Sequence, residues 1–174
     1  MIEQLPPNPR LYLARPSDDD QKVYSLVKFE PEKADDYPRY DDLLTALTSE
    51  LSLFQAMHSP RFFSGRFSRG AETFCFLKLE NSDPAFRSRI ENSLYDILAP
   101  TRAGCALSGG SGLRYSYIHV VLGDLAHAIP LLRAGLSSVG IPRRSWLMFF
   151  DADLSHEWIA LHPDAPPPPE PVEV

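Results

Sequence analysis

The 174-residue chain has few of the features that reveal a chemistry directly. It holds only two cysteines, Cys75 and Cys105, and they do not form a CxxC pair. A disulfide framework or a zinc knuckle needs more cysteines at closer spacing, so two buried, reduced thiols are expected. No apolar run approaches the roughly 18 residues that cross a bilayer, and the amino terminus does not resemble a signal peptide. We therefore predict a cytoplasmic protein without a membrane span.

Basic residues are fewer than acidic ones, 17 against 23, so the net charge is −6. Residues 1–50 carry −5 and residues 51–160 carry +2, so the acidity lies mainly at the front of the chain. Residues 61–69 interleave arginine with phenylalanine, as binders of single-stranded nucleic acid do, but the acidic total argues against nucleic acid. An acidic front suits a partner protein with a basic surface. The residues predicted to contact this partner are Asp18, Asp19, Asp20, Asp35 and Asp36.

Apolar periodicity from residue 73 onward predicts strand, helix, strand, strand, helix and strand in succession. Asp83 and Asp124 are expected to cap the two helices at their amino ends, and Gly140 to end the second helix. This β-α-β-β-α-β order is typical of the ferredoxin-like plan. We predict an α+β domain with a ferredoxin-like core at about 73–162 and an antiparallel sheet.

The remaining residues are predicted to extend this single domain, which covers 11–162. Short strands are expected at 11–16 and 22–30, and Pro38 opens a predicted helix at 38–57 with an apolar stripe. Residues 1–10 are expected to form a flexible arm. Residues 163–174 are proline-rich and acidic, and should be disordered or adopt polyproline II.

The glycines of LSGGSG, residues 107–112, could cradle a phosphate or form a tight turn. A Walker loop needs Lys-Ser/Thr where Leu113 and Arg114 stand, and a dinucleotide loop leads into a helix, whereas a strand follows here. We therefore predict a turn between two strands, with glycines at positive φ. The alternative is a loop that contacts a ligand. The residues of this alternative site are Gly109, Gly110, Ser111, Gly112, Arg114, Tyr117 and His119.

Two further groups of residues are candidates for chemistry. Asp151, Asp153, His156 and Glu157 offer four metal ligands within seven residues, although the spacing fits neither an EF-hand nor HExxH and also suits an acidic turn. Ser108 or Ser111 could pair with His119, but no nucleophile elbow is present. We predict no catalytic residues and no cofactor.

These observations favour a non-enzymatic module that binds or inhibits a protein partner. Inhibitors of the immunity or antitoxin type, which cover a basic toxin surface, have this general profile. The alternative is a regulator or enzyme that binds a small molecule or metal near the 108–114 loop and the 151–157 turn. An open antiparallel sheet also allows a homodimer.

Overall fold

The computed structural model describes residues 24–171, which form an α+β fold with one antiparallel sheet. The strands are β1 (Ser25–Lys28), β2 (Leu43–Thr48), β3 (Thr73–Leu79), β4 (Gly104–Gly112), β5 (Ser116–Leu122), β6 (Ser145–Phe149) and β7 (Trp158–Ala160). The helices are α1 (Leu51–Met57), α2 (Pro84–Leu98) and α3 (Leu125–Val139). The strand order across the sheet is β1-β2-β4-β5-β3-β6-β7. The sheet is therefore larger than the four strands of the predicted core.

The two long helices begin where the sequence indicates. The Asp83 carboxylate accepts a hydrogen bond from the Ala85 N–H, and Asp124 caps α3 in the same way. Gly140 ends α3 in the left-handed conformation, with φ of 80°. Because α3 begins at Leu125, Pro130 lies inside the helix.

The helix predicted over 38–57 is wrong for most of its length. Residues Leu43–Thr48 form β2, and only Leu51–Met57 are helical. β2 lies between β1 and β4 and pairs with both, so long-range hydrogen bonding outweighs the helical spacing of its leucines. The strand predicted at 11–16 lies outside the described residues.

The predicted glycine turn is also wrong. β4 continues through Gly112, the turn is formed by residues 113–115, and the glycines within β4 do not have positive φ. They permit close approach instead. A Cβ on Gly110 would lie 2.6 Å from Leu43 Cδ1 and 2.8 Å from the Thr45 carbonyl oxygen, and one on Gly112 would lie 2.5 Å from Asp42 Oδ2.

The sheet separates two packed layers with different chemistry. On one face, α2 and α3 cover an aliphatic core. On the other face, α1 and the segment 29–43 cover an aromatic core. The start of the proline-rich tail also joins this second layer, because Trp146 Nε1 donates a 2.6 Å hydrogen bond to the Pro166 carbonyl and Ala165 packs on the core. No helix within residues 24–171 is long and apolar enough to span a membrane.

Candidate functional site

A buried carboxylate organises one end of the aromatic face. Asp42 is completely buried just before β2. Its Oδ2 accepts hydrogen bonds from the backbone N–H of Arg114 at 2.7 Å and of Tyr115 at 3.1 Å. Its Oδ1 accepts from the Tyr117 hydroxyl. These donors satisfy a charge that would otherwise be costly to bury, and they fix the β4–β5 turn against the segment before β2.

A buried lysine accompanies this carboxylate. Lys78, the second-to-last residue of β3, is completely buried, and its Nζ donates a hydrogen bond to the Tyr37 carbonyl. The ammonium lies 4.2 Å from the centroid of the Tyr115 ring, a cation–π contact. Burial lowers its pKa to about 8, although the nearby carboxylates of Asp42 and Asp36 act to raise it. Lys78 was not predicted as a site residue from sequence, although a lysine between leucines in a buried strand was a usable signal.

Partly exposed charges surround the mouth of this buried network. Tyr115 donates its hydroxyl to Asp36 at 2.7 Å, and Arg144 donates to both Tyr115 and Asp36. Arg114 and Arg144 also pair with Glu80. Partial burial acts to raise the pKa of Asp36, but the bonds from Tyr115 and the backbone, with the two arginines, hold it below its usual value.

The predicted partner-contact residues therefore differ in their surroundings. Asp36 is committed to the pairs just described, whereas Asp35 is exposed. Asp18, Asp19 and Asp20 lie outside the described residues.

Two histidines lie together on the same face of the sheet. His119 Nδ1 is 2.7 Å from Ser108 Oγ, so the serine–histidine pair considered from sequence is formed. His58, just after α1, contacts the Phe54 carbonyl through Nδ1 at 2.9 Å, and the ring centroids of the two histidines are 5.3 Å apart. A carbonyl only accepts, so His58 Nδ1 carries the hydrogen, and Nε2 of the neutral ring carries a lone pair.

The second nitrogen of each of these rings is unusual for a buried polar atom. Nε2 of His58 and of His119 are buried and have no hydrogen-bond partner within residues 24–171. Burial lowers the pKa of His58, with Arg39 adding to the effect. Burial also lowers the pKa of His119 well below its usual value, and His58 lowers it further. Both rings are therefore neutral near pH 7.

Aromatic rings enclose the histidine pair. Phe54 stacks on His58 with centroids 4.2 Å apart, and Tyr40 meets the same ring edge-on at 4.9 Å. Phe150 lies edge-on to His119 at 5.1 Å. A catalytic triad needs a third group to orient the base, and in the described residues no side chain hydrogen-bonds to His119 Nε2. The Ser108–His119 pair is therefore a polar contact between a half-buried serine and a buried histidine beside the aromatic core.

The predicted ligand residues are divided between the two faces of the sheet. Gly110, Tyr117 and His119 belong to the aromatic face, where Leu43 and Asp42 fill the space in front of the glycines. Gly109 faces α2, whereas Gly112, on the opposite face of β4, faces Asp42. Ser111 Oγ accepts a 2.8 Å hydrogen bond from Arg87 of α2. Arg114 pairs with Glu80. The structure does not bring these residues into one cradle.

The predicted metal ligands are also separated. Asp151 is buried and accepts hydrogen bonds from the Ser64 N–H, at 2.7 Å, and from the Ser64 hydroxyl. Asp153, His156 and Glu157 are exposed on the following turn. Between residues 24 and 171, no group of three or more histidine, cysteine or acidic side chains is arranged to hold a metal ion.

One end of the sheet leaves large apolar side chains exposed. Leu47 pairs with Gly109, which faces α2, so Leu47 and its β1 neighbour Leu26 lie on the α2 side of the sheet. α2 packs mainly on β4 and β5. Leu26 is 59% exposed, Leu47 43% and Tyr24 52%. We name these three residues the β1–β2 patch.

We predict that Asp42→Ala destabilises the protein by about 3–5 kcal/mol, because it strands two backbone donors and the Tyr117 hydroxyl beside a buried cation. The neighbouring exposed residue provides the control, since Asp41→Ala should change stability by less than about 0.5 kcal/mol. Urea unfolding followed by circular dichroism measures both. Equal effects for the two variants would contradict the role given to Asp42.

The histidine pair predicts a loss of stability in mild acid. The unfolded chain binds protons on both rings below pH of about 6.5, while the folded chain, with lowered pKa values, does not. Stability should therefore fall as pH drops from 6.5 towards 5, by up to about 1.4 kcal/mol per pH unit for each histidine. Urea unfolding of His119→Asn should show a shallower dependence, and His127→Gln, an exposed position on α3, the wild-type one. A flat profile for the wild-type protein would refute this.

Known proteins give no further guidance on these sites. No family model, no curated protein and no solved structure matches the chain.

Proposed function

We propose that the protein is a non-enzymatic, cytoplasmic module that binds a protein partner through the β1–β2 patch and the acidic residues beside it. The single observation behind this proposal is the exposure of Leu26 and Leu47, directly opposite each other on neighbouring strands. Soluble proteins seldom expose adjacent large apolar side chains in this way, and such patches are characteristic of interaction surfaces.

The charge around the patch indicates the chemistry of the partner. Residues 17–36, which include β1, contain seven acidic and three basic side chains. Glu30, Glu32 and Asp35 are exposed after the end of β1. Asp18, Asp19 and Asp20 precede the strand in the sequence. An apolar surface with acidic flanks suits a partner that presents an apolar side chain among basic residues.

The interior of the molecule supports binding over catalysis. The buried charges of Asp42 and Lys78 are engaged in hydrogen bonds to the chain itself. The Ser108–His119 pair is enclosed by aromatic rings. An inhibitor of the immunity or antitoxin type, which covers a basic toxin surface, is the example that we favour.

We also infer that the central part of the domain is a ferredoxin-like unit, extended by β1 and β2 at one edge and by β7 at the other. Its support is the order β4-β5-β3-β6 of the four central strands, with α2 and α3 packed on one face. In this arrangement α2 packs mainly on the central strands, and Leu26 and Leu47 at the β1–β2 end are exposed.

The proposed function predicts a second polypeptide at fixed stoichiometry in native mass spectra of the protein purified gently from its own host. Leu26→Asp/Leu47→Asp should weaken that complex at least about tenfold, because charges would enter the apolar contact. Leu113→Asp, at an exposed leucine on the β4–β5 turn, is the matched control and should bind normally. Binding should also weaken with salt and with neutralisation of Asp18, Asp19, Asp20 and Asp35. The absence of a partner, or equal binding by all variants, would refute the proposal.

A second candidate function is the binding of a metal ion or small molecule beside Ser108 and His119. The observation that favours it is the pair of buried Nε2 atoms without partners, because such groups commonly face an ion or an ordered water. His58 Nδ1 also donates its hydrogen to a backbone carbonyl, and a metal-binding imidazole usually donates its other ring N–H to such a group.

This candidate predicts a ligand-dependent rise in thermal stability, of about 2.7 kcal/mol at a hundredfold excess over Kd. The panel would contain copper, zinc and nickel ions and common metabolites. His119→Asn should abolish the rise, whereas His127→Gln should retain it. No stabilisation by any member of the panel would exclude these ligands at this site.

A further inference from the structure

β1 is the outermost strand at one end of the sheet. Just beyond the end of β1, the Phe29 N–H donates a 2.9 Å hydrogen bond to the carbonyl of Leu44 in β2. Hydrogen-bonding groups alternate along an antiparallel strand, so Val27 also directs its N–H and C=O towards β2. Leu26 and Lys28 consequently direct their N–H and C=O away from β2. No other strand within residues 24–171 pairs with this outer side of β1.

At the opposite edge of the sheet, a side chain hydrogen-bonds to an outward-facing carbonyl of β7. The Leu161 N–H donates a 3.0 Å hydrogen bond to the Ser145 carbonyl, so by the same alternation Ala160 directs its C=O away from β6. That outward carbonyl accepts a 2.8 Å hydrogen bond from Arg133 Nε on α3. The Arg133 side chain therefore occupies one outward acceptor of β7, whereas no such contact within residues 24–171 occupies the outward N–H and C=O groups of Leu26 and Lys28.

We propose that the partner is bound by strand addition, with an extended segment of the partner pairing its backbone with Leu26 and Lys28. This inference rests on the proposed function in one respect, that the partner is a protein. Main-chain hydrogen bonds to an exposed edge are a common mode of peptide recognition, in which alternate side chains provide specificity.

The side chains around β1 define the sequence that the added strand needs. A residue opposite Leu26 would lie about 5 Å away on the same face and would continue the row formed by Leu47 and Leu26. An apolar, β-branched residue suits that position. Beyond the strand, the exposed carboxylates of Glu30 and Glu32 favour basic residues in the segment that passes them. The added strand is therefore an extended segment with a central apolar residue and basic residues beside it.

Proline variants at β1 separate strand addition from side-chain contact. Leu26→Pro removes an N–H that β2 does not use, so the fold should persist, because proline is tolerated where an edge strand faces solvent. Lys28→Pro should be tolerated for the same reason, because the Lys28 N–H also faces away from β2. Leu26→Ala is the matched control, since it removes the side chain and keeps the N–H. Val27→Pro removes an N–H that faces β2 and should visibly destabilise the protein, which checks the assigned register.

The probe is a blocked eight-residue peptide that alternates valine and lysine, added to the ¹⁵N-labelled full chain. We expect shifts centred on the amides of Leu26 and Lys28 and slower hydrogen exchange at both. Leu26→Pro should weaken binding about tenfold more than Leu26→Ala does, the effect of one lost hydrogen bond. A peptide that alternates valine and glutamate should bind much more weakly.

Four results would overturn the inference. These are shifts centred elsewhere, equal affinities for Leu26→Pro and Leu26→Ala, amides of Leu26 and Lys28 already protected in the free full chain, or a dimer that Leu26→Pro dissociates. Its failure is distinguishable from that of the proposed function. If Leu26→Asp/Leu47→Asp abolishes capture of the partner and Leu26→Pro does not, the patch binds without strand addition. If the peptide binds at β1 but no polypeptide is captured, strand addition stands and the proposed function fails.

Discussion

The carboxylate of Asp42 is the constraint on which one end of the structure depends. Its two oxygens accept hydrogen bonds from the β4–β5 turn and from Tyr117, so the segment before β2 and the turn must be ordered together. Gly112 makes this approach feasible, because a side chain there would occupy the position of the carboxylate. The same segment brings Tyr40 against His58. The cover of the aromatic face therefore depends in part on this satisfied charge.

The parts of the fold that follow local rules were predictable from the sequence. Capping by Asp83 and Asp124, and the alternation of the central strands, identified α2, α3 and their neighbours. β2 was mistaken for a helix because its leucines fit a helical period, and the strands with which it pairs are not evident from its own residues. The glycines of β4 were mistaken for a turn for a related reason. Their cause is Asp42 and Leu43, about seventy positions earlier in the chain.

The candidate sites were also only partly predictable, because they combine residues that are distant in the sequence. Ser108 or Ser111 was considered as a partner of His119 from sequence. His58, by contrast, lies just after α1, and no local pattern indicates that it joins them. The helix-covered face is aliphatic and self-contained. The other face holds the buried charges and the imidazole pair, and its polar groups are almost all satisfied. Within residues 24–171, the two imidazole Nε2 atoms without partners and the exposed β1–β2 patch each support one hypothesis of function.

The contact between Arg133 and Ala160 has a consequence for assembly. A chain with two available sheet edges can join copies of itself end to end without limit, as in a fibre. Here the Arg133 guanidinium occupies the outward carbonyl of Ala160 on β7, so a strand that approached this edge would find that acceptor already used. This contact makes strand pairing at β7 less favourable, and with it the open-ended growth that needs both edges of the sheet.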